Sequence, residues 1–347
     1  MLNKIDMRKI SILVVSVFLF FGCRQKSIVH PTFYYWKTDY KNKKAETGYL
    51  DQFKSKSLYV RIMDVDFNPD LQLPVPVSPI KFSDPLPKQV HIIPVVFIVN
   101  QVFDKIDTMQ TAVMANRIAK FVEAKVKQSG QQNYQELQID CDWTKGTRNR
   151  YFKFLAQLMD NPLLKGKTIS VTLRLHQIKN MVSSGVPPVE KGMLMCYNMG
   201  NLRKYGEQNS ILDQHEMDVY LKDYLEQYPL ALDVALPIFE WAVVFRNEQY
   251  GGISKRIGKV QIEDKKLFKQ RGNSILYDLL ADYPAAGLKQ GDVVRWEQIS
   301  PEDLLHTSKF LSRYLAPRDR NLVFYHLDTD LLKHFTHEDL QKVIANF

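Results

Sequence analysis

The chain has 347 residues, 45% of them hydrophobic, and 47 Lys and Arg against 38 Asp and Glu leave a formal charge of +9. The basic residues are scattered, with no long Lys/Arg run and no nucleic-acid motif, which argues against a nucleic-acid groove and fits solubility or an anionic surface. Three cysteines make no disulfide framework, and their spacing matches no zinc site.

In chain order, the first element is a leader. Lys4, Arg8 and Lys9 form a positively charged start, and residues 10–21 are apolar apart from Ser11 and Ser16. Gly22 then precedes Cys23, completing the pattern of a cleaved signal. The apolar run is shorter than the ~20 residues a membrane-spanning helix needs. The segment Leu19-Phe20-Phe21-Gly22-Cys23 resembles a loose lipobox, with Phe21 bulkier than usual before Gly22. Cys23 is therefore the expected lipidation site, and residues 1–22 the expected lipoprotein signal peptide. An ordinary secretory signal or an uncleaved anchor are the alternatives. Residues 23–30 read as a lipid-anchored tether and 31–347 as the folded part. Arg24 and Lys26 have no acidic residue beside them, which points to an anchor in a Gram-negative cell envelope facing the periplasm.

Beyond the tether, β-type and helix-type segments alternate to the end, the pattern of a parallel α/β architecture. Strands are expected at 32–36, 58–63, 90–99, 137–142, 169–175, 193–197, 231–236 and 322–327. Several are continuous apolar runs, as strands buried on both faces require. Helices are expected at 109–127, through Val113, Ile118, Phe121, Val122 and Val126, and at 148–159, 218–228, from Pro301 and from His337. Ser300 and Thr336 stand where the N-caps of the last two would be. Eight strands, with no Gly-rich phosphate loop after the first, predict a single-domain (β/α)8 TIM barrel over an open doubly wound sheet. The stretch 239–300 reads as an insertion after strand seven, and the Pro-rich stretch 69–87 as a second irregular excursion.

The densest chemical signal is Gln138-Ile139-Asp140-Cys141-Asp142-Trp143-Thr144. Alternate side chains of a strand share a face, so Asp140 and Asp142 would both point into the barrel and Cys141 toward the helices. By the same parity Cys141 and Cys196 should remain free thiols. Inward carboxylates at a strand end either pair with a base such as Arg61 or Arg174, or serve a ligand. Other candidates at strand ends are Asp64, His176, Glu240 and Asp328, with the aromatics Trp36, Trp143, Tyr197, Trp241 and Tyr325. Aromatic faces stack on the apolar C–H faces of sugar rings, although core packing accounts for aromatics at a barrel mouth equally well. No metal-ligand spacing links His176 and His326, and no nucleophile elbow is present, so neither metal nor cofactor is expected.

The fourth-strand segment resembles the signature of the chitinase-like glycoside hydrolases of family eighteen, Asp-Gly-x-Asp-x-Asp-aromatic-Glu. Asp140, Asp142 and Trp143 match the second Asp, third Asp and aromatic positions. Leu137 stands at the leading Asp, and Thr144 replaces the general acid. Met195-Cys196-Tyr197-Asn198 resembles the sixth-strand Met-x-Tyr-Asp with Asn198 for Asp, and Phe324-Tyr325-His326-Leu327-Asp328 resembles the eighth-strand ending. The chain is also similar to a bacterial lipoprotein family of such barrels through Leu173-Arg174-Leu175-His176-Gln177-Ile178, Gly185-Val186-Pro187-Pro188 and Leu232-Asp233-Val234-Ala235-Leu236-Pro237. That second likeness implies no particular activity.

These resemblances imply an envelope lipoprotein whose barrel binds or hydrolyses a glycan, or another polar small ligand, at the C-terminal ends of its strands. Asp140, Asp142 and Glu240 would be the catalytic acids. Trp36, Trp143, Tyr197, Asn198, His176, Tyr325 and Asp328 would line the ligand. The alternative is a degenerate, non-catalytic barrel kept for binding or assembly, which the replacements at Thr144 and Asn198 favour.

Overall fold

A computed structural model describes residues 28–347, so the leader and Cys23 lie outside the described residues. Eight parallel strands form the central sheet: β1 Val29–Tyr35, β2 Ser57–Asn68, β3 His91–Ile98, β4 Glu136–Asp140, β5 Thr168–Leu173, β6 Lys191–Met195, β7 Ala231–Pro237 and β8 Arg320–Tyr325. Each pairs with its sequence neighbour from β2 to β7, and β8 sits between β7 and β1. Pairing of Tyr34 with Tyr59 and Tyr35 with Val60 joins β1 to β2 and closes the ring. The fold is the expected α/β TIM barrel.

The expected strands all form, with shifted ends. β4 stops at Asp140 and β5 at Leu173, so Asp142 lies in a loop and Leu175 opens a short helix, Leu175–Lys179. β2 is the longest strand because it runs beyond the barrel, where 64–68 pair antiparallel with Leu73–Val77. Part of the Pro-rich excursion is therefore a hairpin. Proline is tolerated at 74 and 76 because this strand is the edge of the sheet.

The helix Thr108–Gln128 is entered through a capping box: Asp107 accepts from the Gln110 N–H at 2.8 Å and the Gln110 side chain accepts from the Asp107 N–H at 3.0 Å. Its buried stripe runs Thr111, Met114, Ala115, Ile118, Val122 and Val126, whereas Val113 faces outward at 51% exposure. The expected helix at 218–228 instead spans Gln214–Leu221, because Asp213 caps it by accepting from the Glu216 N–H. Pro301–Tyr314 and His337–Ile344 start at the caps Ser300 and Thr336, as their sequences predict. No helix among the described residues is long and apolar enough to cross a membrane.

The insertion is a second, antiparallel sheet of five strands in the order Gln249–Ser254, Trp241–Arg246, Val293–Glu297, Leu276–Leu279, Phe268–Gln270. It has apolar clusters on both faces: Ala242, Val244, Val294 and Trp296 pack on one, Val243, Phe245 and Val293 on the other. This accounts for the unbroken apolar run at 241–245. A fully buried ion pair ties the sheet to the barrel. Arg295 Nε donates to Glu297 Oε1 at 2.6 Å, and both side chains are 0% exposed. The guanidinium also donates to the carbonyls of Leu202, Lys204 and Gly206, while Glu297 accepts from the Ser210 N–H and hydroxyl. Apart from Nε, which joins the two side chains, every polar atom of the pair thereby serves to hold the loop that follows β6.

Candidate ligand-binding site at the barrel mouth

The C-terminal ends of the strands surround an open cavity of ≈ 920 Å³. Trp36, Asp140, Asp142, Tyr197, Asn198, Glu240, Tyr325 and Asp328 all line it. The insertion supplies a side wall through Trp241, Ile253, Ser254 and Lys255. An adjoining lobe of ≈ 360 Å³ contains His176 and Tyr220 and shares Asp142, Arg174, Tyr197 and Asn198 with the main cavity. The structure thus brings together residues from the ends of β1, β4, β6, β7 and β8. A separate apolar groove of ≈ 450 Å³ lies outside the barrel between the 73–76 edge strand and the helix Thr108–Gln128, and holds none of the candidate residues.

Asp140 ends β4 with its side chain inward and 4% of its surface exposed. It accepts a hydrogen bond from the Thr172 hydroxyl at 2.6 Å. Burial, reinforced by the nearby Asp142 charge and opposed by Arg174 and Thr172, pushes its pKa up to about 6. Asp142, two residues later, is nearer the opening, its side chain 47% exposed. Arg174 clamps it in two parallel bonds, Nε to Oδ1 at 2.6 Å and Nη2 to Oδ2 at 3.0 Å. Such a fork fixes a carboxylate and neutralises it.

Opposite these acids, aromatic rings make a continuous wall. Tyr325 lies 5.4 Å from Trp36, 5.3 Å from Tyr197 and 5.7 Å from Phe239, centre to centre, and Phe239 lies 5.3 Å from Trp241. The Tyr197 hydroxyl, Trp241 Nε1 and His326 Nδ1 are buried without a hydrogen-bond partner among the described residues. Burial drives the His326 pKa down to about 4, so this ring is neutral at pH 7. Lys37 bridges Glu46 at 2.6 Å and Asp328 at 2.8 Å, holding the loop after β8 against the first helix. Glu240 is partly buried, which raises its pKa, and lies 3.7 Å from His334. Asn198 has φ of 55°, a left-handed conformation that asparagine tolerates better than most residues. Among the described residues no group of three His, Cys, Asp or Glu is arranged to hold a metal ion.

Trp143 is placed elsewhere than expected. It is 1% exposed, stacks on Tyr151 at 5.2 Å, donates from Nε1 to the Ser184 carbonyl at 2.9 Å, and does not line the cavity. Like Cys141 two residues before it, this ring lies on the side of the chain that faces the helical layer, as strand parity places both. Thr144 is exposed and also lies outside the cavity wall. Cys141 and Cys196 are buried and form no disulfide among the described residues. Sequence reasoning missed Lys37, Phe239, Lys255 and Asp330 as lining residues. Lys37 and Phe239 were findable as neighbours of Trp36 and Glu240, but nothing local marks Lys255.

No protein-family model and no curated protein matches the sequence. Solved structures do match in fold. A chitinase from Chromobacterium violaceum superposes with a TM-score of 0.53 at 12% identity, covering 92% of this chain and 98% of the other. The Bacillus cereus spore cortex-lytic enzyme SleL gives 0.55 at 12% identity, over 93% and 75%. The C-terminal domain of a chitinase-like protein from Desulfitobacterium hafniense gives 0.55 at 10% identity, over 93% and 99%. The chain is a TIM barrel that distantly resembles the chitinase-like glycoside hydrolases in structure, at identities that establish the fold alone.

Proposed function

We propose that this protein is a lipid-anchored envelope protein whose barrel mouth binds carbohydrate without hydrolysing it by the family-eighteen route. The observation that carries the binding is the open cavity itself, where an aromatic wall faces inward carboxylates at the C-terminal ends of the strands. Chitinases among solved barrels of this fold support a carbohydrate ligand. Asp142 is occupied by Arg174, and the position of the family's acid is an exposed threonine outside the cavity, so that proton donor is missing.

A second possibility, hydrolysis by another pair of acids, draws support from Asp140 and Glu240, whose burial raises both pKa values toward the range of a general acid. A glycan array combined with a reducing-sugar assay on the purified chain separates the two. Binding without turnover is expected; turnover abolished by both Asp140→Asn and Glu240→Gln would establish hydrolysis instead. For the anchor, Cys23→Ala should abolish palmitate labelling and release the protein from membranes. Unchanged membrane partition of that variant would point to an uncleaved helix.

A further inference from the structure

We propose that the mouth cavity selects a sugar carrying a free, protonated amine, an amino sugar whose nitrogen is not acylated. This rests on the carbohydrate proposal above and narrows it to one ligand class. The starting point is the charge on the cavity wall: six carboxylates, Asp64, Asp140, Asp142, Glu240, Asp328 and Asp330, face three permanent cations, Lys37, Arg174 and Lys255. Four of the acids have a cation within ion-pair distance. Arg61 holds Asp64, Arg174 holds Asp142, Lys37 holds Asp328 and Lys333 holds Asp330.

Asp140 and Glu240 are different. Asp140 is nearly buried on the cavity floor and has the Thr172 hydroxyl as its hydrogen-bond donor; no Lys or Arg among the described residues is within ion-pair distance, and Arg174, paired with Asp142, acts on it only from farther off. Glu240 on the wall lies 3.7 Å from His334, and the more distant charges of Lys259 and Glu263 act on it with opposite sign. Lys255 is exposed, so solvent screens it from both. Two partly desolvated acids in an open cleft are a standing electrostatic cost that a cationic ligand removes.

A second, independent observation is the Tyr197 hydroxyl. The residue lines the same cavity, is 2% exposed, and its hydroxyl has no hydrogen-bond partner. Trp241 Nε1 is likewise unpartnered on the insertion wall. An ammonium group has three N–H donors and no acceptor, so carboxylate and phenol oxygens both suit it. The neighbouring ring hydroxyls of the sugar can accept from the indole N–H. A metal ion would need a convergent donor set, which is lacking among the described residues. An acylated nitrogen carries no charge and would add no ion pair to Asp140 or Glu240.

The test is calorimetric titration of the full-length chain, in detergent, with a β-linked glucosamine tetramer and with its fully N-acetylated counterpart at pH 7. The free-amine oligomer should bind at least about tenfold more tightly. Glu240→Gln and Asp140→Asn should each erase most of that preference, bringing the ratio of the two affinities close to one. Glu240 is only partly buried, so its variant keeps the test decisive should Asp140→Asn fail to fold. Equal or tighter binding of the acetylated oligomer overturns the amine inference and leaves carbohydrate binding standing. So does a preference that persists in the folded variants. A chain that binds neither tetramer nor any arrayed glycan loses both proposals.

Discussion

The two ends of the barrel treat buried carboxylates in opposite ways. At the N-terminal end, Lys191 Nζ lies 2.8 Å from Glu136 Oε2 and 2.7 Å from Asp233 Oδ2. The remaining lone pairs are also used: Ser170 donates to Glu136, while Tyr59 and both nitrogens of Asn321 donate to Asp233. Six strands contribute to that cage. At the C-terminal end, Asp140 sits as deeply as Asp233 but has a single hydroxyl donor. A sealed, fully satisfied network rigidifies a barrel floor, whereas an acid left short of partners beside an open cavity is poised to meet something from solution.

The strongest way to break this contrast is Lys191→Met. It strands two carboxylates, so we expect a loss of about 3 kcal/mol in urea unfolding, with ligand affinity of the folded protein retained. A change confined to affinity would mean that the floor network reaches the mouth.

Asp140→Asn should do the reverse. The folded pKa of Asp140, about 6, lies above the ordinary carboxylate value of 3.8. Ionisation in the folded state therefore costs stability above pH 6, and the cost fades as pH falls through 6 toward 4. Asparagine retains the acceptor for Thr172, so the variant should be more stable by about 2 kcal/mol at pH 8, with the gain shrinking by pH 4. A variant less stable than the parent at pH 8 would show that the acid is compensated after all.

The smallest effect is expected at Arg174→Lys. The fork to Asp142 is lost, but Asp142 is half exposed, so unfolding should shift by no more than about 1 kcal/mol. Ligand affinity should fall more than stability does, because the carboxylate is no longer held in one orientation. Equal losses in both would reduce the pair to a structural contact.

Periodicity and end signals made most of the barrel legible. Continuous apolar runs mark strands buried on both faces, and Ser300 and Thr336 announce helices because a side-chain acceptor must satisfy the first free N–H groups. Eight of the ten expected catalytic and ligand-lining residues fall on one cavity because strand ends in a parallel barrel all open on the same face, and His176 falls in its side lobe.

What the tertiary structure alone decided is where each strand stops and what meets across the ring. β4 ends at Asp140, not at Asp142, and Asp142 in the loop beyond is clamped by Arg174 from the end of β5. The insertion shows the same limit: its strands are short, and one of them, Trp241–Arg246, is apolar on both faces, so no alternation betrays it until the sheet pairs. The pairing of Arg295 with Glu297 two residues on, against carbonyls some ninety residues away, has no local trace at all. Amino-acid order specifies periodicity and caps because these act within a few residues. Which buried charge finds a partner depends on contacts that exist only once the ring has closed.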